Sequence, residues 1–150
     1  SSTTSKIVQV MELPESLIES SITRGVILHS TGFENIDHGK FFVIMGVNED
    51  KVAGFFFINS NVHRSIYQKP EQLALQYPLK RSDYNFLDHD SFLCATQVLT
   101  LSKKFLCNSI MLGDTLVISN LRDDHVEEVL EMVRNSRVFS KIEKKQFFYE

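Results

Sequence analysis

Tryptophan is missing from this chain, cysteine occurs twice, proline three times and glycine six times. Two cysteines, Cys94 and Cys107, cannot build a disulfide framework, and they lack the paired spacing of a zinc knuckle. They read as free buried thiols of a reducing compartment, so the expected location is cytoplasmic. Long apolar runs are also missing. Phe41–Val47 is far shorter than the roughly 20 residues that a bilayer-spanning helix needs, and no segment has the pattern of a signal peptide. Positive charge is not in excess: 16 Lys and Arg stand against 19 Asp and Glu, a net charge of −3. Such a chain has no global pull toward DNA, RNA or anionic lipid, and a nucleic-acid site has to be a local basic patch. The sequence contains no glycine-rich phosphate loop, dinucleotide fingerprint, HExxH or GxSxG, which removes most enzyme classes with a local signature. Repeats, low-complexity tracts and interdomain linkers are lacking too.

What remains is an ordinary globular composition, 43% apolar and 23% charged over 150 residues. That length suits one domain, residues 1–150, with a real core. Ser1–Ser5 is small and polar and reads as disordered. In LPESLIESSI, Pro14 suits the first position of a helix, and Leu17, Ile18 and Ile22 are expected on one face. Arg24–Ser30 (RGVILHS) reads as a strand and TGFENIDHG as a loop. The strongest local signal is two apolar runs, Phe41–Val47 and Val52–Ile58, flanking the polar Asn48–Lys51, which predicts a β-hairpin. Both runs are apolar on both alternating faces, as in central strands covered on each side. Gly46 and Gly54 suggest bulges or bends.

Further on, a helical turn is expected at Pro70–Gln76, a strand near Tyr77–Lys80 and another over FLCATQVLTL. IMLGDTLVI reads as a last strand broken at Gly113. A closing helix is expected with Ser119 or Asn120 as its cap, acidic residues in its first turns and an apolar stripe of Val126, Val129, Leu130 and Val133. The tail SKIEKKQFFYE reads as a further strand or a loose end. Strands without regular crossover helices argue against a doubly wound sheet. They point to an α+β fold, mainly β: a small, strongly bent antiparallel barrel, partly open, with the C-terminal helix packed on it.

Several polar groups could carry chemistry. His29 ends the first strand, His38 lies in the following loop, and Lys40 opens the next strand. If the strands pair, these groups offer an acid, a base and an anion contact. Asn59, Ser60 and Asn61 follow a buried strand directly, either as site residues on a rigid platform or simply as strand terminators. Lys80 and Arg81 become phosphate contacts only if they share a face with Lys40. In LDHDS, Asp88 and Asp90 could hold a divalent cation, but no third ligand is evident, and Asp and Ser bonding their own backbone in a turn is the better account.

The run from RGVILHS through GKFFVIMGVNEDKVAGFFFINSN resembles the core of MazF/PemK-type toxins of bacterial toxin–antitoxin pairs. YPLKRSDYNFLDHDSFLCATQV and LGDTLVISNLRDDHVEEVLEMV are similar to divergent PemK-like sequences. The resemblance implies an SH3-like barrel and a homodimer held inactive by an antitoxin protein. It also implies cleavage of single-stranded RNA with the 2′-hydroxyl as nucleophile, and neither metal nor cofactor. Lys40 stands where the family has an arginine opening the second strand, and Ser60, with Asn59 beside it, where the family has a threonine–serine pair. Lysine gives a point charge rather than a bidentate fork. Three functions therefore stay open: an endoribonuclease toxin using Lys40, Ser60 and a histidine, His29 or His38, with Asn59, Asn61, Lys80 and Arg81 on the substrate; a non-catalytic protein-binding module of the same fold; or a metal hydrolase built on Asp88, His89 and Asp90, which would need bound metal.

Overall fold

The computed structural model describes residues 14–33 and 38–150. The expectations for Ser1–Ser5 and for the loop at residues 34–37 lie outside them. The elements are α1 (Glu15–Ser21), β1 (Val26–Ser30), β2 (Lys40–Val47), β3 (Val52–Asn59), a 3-10 turn (Arg64–Gln68), α2 (Pro70–Leu73), β4 (Gln76–Leu79), β5 (Ser91–Ser102), α3 (Lys103–Leu112), β6 (Thr115–Asn120), α4 (Asp123–Arg134) and α5 (Lys141–Phe147). The six strands form one sheet in the order β4-β5-β3-β2-β1-β6, and every neighbouring pair is antiparallel.

The expected hairpin is present. β2 and β3 pair from Phe41–Ile58 to Val47–Ala53, closed at the loop by bonds between Asn48 and Val52. Their two-sided apolarity is matched by a layer on each face. Ile27, Val43, Met45, Phe56 and Ile58 meet α4 and α5 through Val126, Val129, Leu130, Val133, Phe147 and Phe148. Leu28, Phe42, Ile44, Ala53 and Phe55 meet α1 and α3 through Ile18, Ile22, Leu106 and Cys107. This arrangement explains why the expected barrel does not close. Helices already remove both faces from water, so the sheet stays open with β4 and β6 at its edges.

The apolar stripe of α4 is buried at all four positions. Its expected caps are not used: Ser119 and Asn120 end β6, and Arg122 holds the cap position without a side-chain cap bond. In α1, Pro14 is the cap, Ile18 and Ile22 are buried, and Leu17 is exposed. One residue is a 100° rotation on a helix, so Leu17 cannot share the inward direction of Ile18. The expected strand over IMLGDTLVI begins only at Thr115. The preceding residues finish α3, which the Ser102 hydroxyl caps at the Phe105 N–H (3.0 Å) and which stops at Gly113 with φ +84°. That left-handed position suits glycine. The tail is helical, not extended or loose: α5 starts at a reciprocal capping box between Ser140 and Glu143.

Gly46 and Gly54 face each other across the hairpin, next to a register shift. They do more than bend it. A Cβ at Gly46 would lie 2.1 Å from the Phe147 carbonyl oxygen, and one at Gly54 would lie 2.6 Å from the Phe147 ring. The pair lets α5 approach the sheet backbone. Both cysteines are free. Among the described residues no helix is long and apolar enough to cross a membrane.

Candidate functional site

Hairpin register decides which polar groups meet. Phe41 pairs with Ile58, so Lys40 and Asn59 are the next neighbours toward the open end of the hairpin. The Lys40 ammonium donates to Asn59 Oδ1. It also lies over the Phe57 ring, 5.1 Å from its centre. Phe57 pairs with Cys94 on β5, and Cys94 pairs with Gln76 on β4. The Cys94 sulfur is 3.5 Å from Gln76 Nε2 and 3.4 Å from Thr96 Oγ1. These side chains share the sheet face that α1 and α3 cover elsewhere, and here they are only half-buried. The result is a shallow patch with a cation, an aromatic ring and amide groups.

Partial burial strips water from the Lys40 ammonium and pushes its pKa below the usual lysine value, while the nearby Cys94 acts in the opposite direction. The aliphatic stem is packed and the head is fixed, which makes this charge more directional than a free surface lysine.

The other sequence-predicted residues fall into three groups. Ser60 and Asn61 are exposed just beyond β3, next to Asn59. His38 is exposed beside Lys40, with Nδ1 3.0 Å from the Gly39 carbonyl. These three border the patch. His29 does not: it pairs with Phe41 while Ser30 pairs with Lys40, so it points to the opposite face. There its ring packs on Phe41 at 4.6 Å. Lys80 and Arg81 are exposed beyond β4, three strand spacings or roughly 14 Å from β2. The Arg81 N–H is held by Asp90 Oδ1 at 2.9 Å. Asp88, His89 and Asp90 form the bend before β5, and the Ser91 hydroxyl bonds the His89 carbonyl at 3.0 Å, as the turn reading expects. Among the described residues no group of three or more His, Cys, Asp or Glu is placed to hold a metal ion.

Sequence reasoning missed Phe57, Gln76, Cys94 and Thr96. Period-two alternation places Phe57 with Asn59, so half of that signal was available; the β5 and β4 contributions depend on long-range pairing.

A second polar cluster, also missed, sits on the other face. Tyr84 is buried. Its hydroxyl accepts from the Arg122 N–H at 3.0 Å and bonds His125 Nδ1 at 2.6 Å. Tyr77 donates to Glu128. Arg122 forks onto Asp124 at 3.0 and 2.7 Å and reaches Asp83 at 3.0 Å. The cluster ties the segment before β5 to the start of α4. Tyr84→Phe is expected to lower stability by about 1–3 kcal/mol, because it orphans a backbone donor and a ring nitrogen at once. Urea unfolding checks this, and an unchanged midpoint would remove the clasp from the account.

The sequence matches no protein-family model, and no curated protein matches it.

Proposed function

We propose that the chain is the toxin half of a MazF/PemK-like toxin–antitoxin pair and cleaves single-stranded RNA without a metal. The observation that carries this reading is the Lys40 ammonium fixed between Asn59 and the face of Phe57. A phosphate seated there would meet an oriented positive charge, and a base could stack on the half-exposed rings of Phe57 and Phe92. When the 2′-hydroxyl attacks the phosphorus and the P–O5′ bond breaks, negative charge grows on the non-bridging oxygens, and a preorganised cation stabilises that growth. Asn59 gives its oxygen to Lys40 and keeps its NH₂ for ribose or phosphate, with Ser60 and Asn61 alongside. Proton transfer falls to His38, since His29 lies across the sheet: His38 takes the proton of the 2′-hydroxyl, and the departing 5′-oxygen receives one in turn. In this reading the open, bulged antiparallel sheet is a divergent form of the SH3-like barrel, and the protein acts in the cytoplasm as a homodimer restrained by an antitoxin.

One observation favours the second reading, a non-catalytic protein-binding module. Among the described residues β6 is an edge strand; it carries no charged residue and exposes Leu116 and Val117. Undefended edges of this kind accept a strand from a partner.

Incubation of the protein with mixed-sequence RNA in EDTA separates the two. Cleavage there, leaving 2′,3′-cyclic phosphate ends, supports the toxin. No cleavage and no RNA binding, with or without metal, supports the binding module. The Lys40 environment adds a pH signature. Its lowered pKa means that the ammonium loses its proton at a lower pH than an exposed lysine does. RNA affinity is therefore expected to fall with rising pH before the ordinary lysine range is reached. In Lys40→Arg that fall should move to higher pH, as read by fluorescence anisotropy.

A further inference from the structure

A cavity of about 490 Å³ opens where α3 meets the ends of β1 and β6, within the size range of small-molecule sites. Its walls are apolar, with Phe33, Phe42, Leu101 and Leu106 inside. At the mouth, Phe105 is 55% and Leu112 77% exposed, large apolar surfaces that water covers poorly.

Its polar part is a buried relay of three hydroxyls. Ser30, Ser109 and Thr115 line the cavity, and all are buried. Thr115 Oγ1 donates to Ser30 Oγ at 3.0 Å. With that proton committed, the 2.6 Å contact between Ser109 and Thr115 has Ser109 as donor. Ser30 Oγ accepts a second bond from the Gly32 N–H at 3.2 Å. Each hydroxyl carries one proton. The protons of Ser109 and Thr115 are used, whereas that of Ser30 has no acceptor among the described residues. Hydrogen bonds in series polarise one another, so the terminal O–H is a strengthened donor.

Among the described lining residues the only charged one is Asp114. No cation is among the described lining residues, and the neighbouring Lys40 ammonium is engaged by Asn59, so an anion would have to desolvate beside Asp114 without a partner from those residues.

We propose that this cavity binds a neutral, mostly apolar small molecule with one hydrogen-bond acceptor, such as a ketone or amide carbonyl, received by Ser30. The cavity adjoins the Lys40 patch, since Ser30 pairs with Lys40 and Phe33 packs on Phe57 at 5.1 Å, but the Lys40 ammonium is turned to Asn59 and Phe57 on β3, and the proposal does not depend on the proposed RNA chemistry.

Three probes of similar shape test it by ¹⁵N–¹H correlation spectroscopy of the full chain: 4-phenyl-2-butanone, butylbenzene and 3-phenylpropionate. The ketone is expected to shift the amides of Ser30, Ser109 and Thr115 and to bind about fivefold tighter than the hydrocarbon, the worth of one net hydrogen bond. The anion is expected to bind weakest. Ser30→Ala should remove the preference of ketone over hydrocarbon, and Leu112→Asp, at an exposed position that leaves the core intact, should weaken the ketone. The wild-type ranking decides even if Ser30→Ala does not fold. Equal binding of ketone and hydrocarbon, preference for the anion, or shifts confined to another part of the molecule would overturn the proposal.

Discussion

Val129→Asp is expected to leave the chain without a cooperative unfolding transition. Val129 is fully buried at the centre of the α4 stripe, within the cluster that joins the helix to Val43, Met45 and Phe56. A carboxylate there has no partner and no water. Whether it stays ionised or takes up a proton, the cost is about 4–5 kcal/mol or more, since an unpaired buried charge and a lost apolar contact add. Small domains are stable by only about 5–15 kcal/mol. Circular dichroism against temperature reads the outcome directly. A sharp melt within a few degrees of the wild type would mean that α4 does not cover the sheet.

Gly46→Ala is the second large effect, and it comes with an internal control. The added carbon would stand 2.1 Å from the Phe147 carbonyl oxygen and 2.8 Å from its carbon. These are backbone atoms of a capped helix, and they cannot turn aside. Either α5 lifts off the sheet or the hairpin distorts, and both expose Phe147 and Phe148, which are buried here. A loss of about 3 kcal/mol or more follows. Gly54→Ala, directly opposite, meets the Phe147 ring at 2.6 Å and a Val98 methyl at 2.9 Å. Side chains can rotate, so about 1–3 kcal/mol is expected there. Urea unfolding of both variants should rank Gly46→Ala as the worse. Equal midpoints, or the reverse order, would contradict the close packing of α5.

What could be read from the sequence follows the range of the forces involved. The β2–β3 hairpin was legible because two apolar runs flank a short polar loop, so its pairing is local. The loop alone would set Lys40 opposite Ser60; the register shift between Ile44 and Gly46 moves the pairing by one residue and brings Asn59 there instead. The α4 stripe was legible because helical periodicity is also local. The open sheet was not: closure depends on whether helices reach both faces, and α3 and α5 were not recognised. In α3 the apolar IML beside Gly113 passed for a broken strand. In the tail the aromatic FFY, favourable in strands, outweighed Ser140 and Glu143, whose capping-box spacing was the helix signal. His29 was expected beside Lys40 because both flank one loop. Alternation places it across the sheet, and alternation can be applied only when the strand pairing is known.

One measurement bears most directly on the central claim: cleavage of mixed-sequence RNA in EDTA by the wild type and by Lys40→Met. Methionine keeps the packed apolar stem and removes a partly desolvated charge, so the melting temperature is expected to stay close to that of the wild type. The wild type is expected to cleave, and the variant to lose about 10²-fold to 10³-fold in rate, the effect of removing one preorganised stabilising group. Full activity in Lys40→Met, or activity that appears only with added divalent metal and disappears in Asp88→Asn/Asp90→Asn, would contradict it.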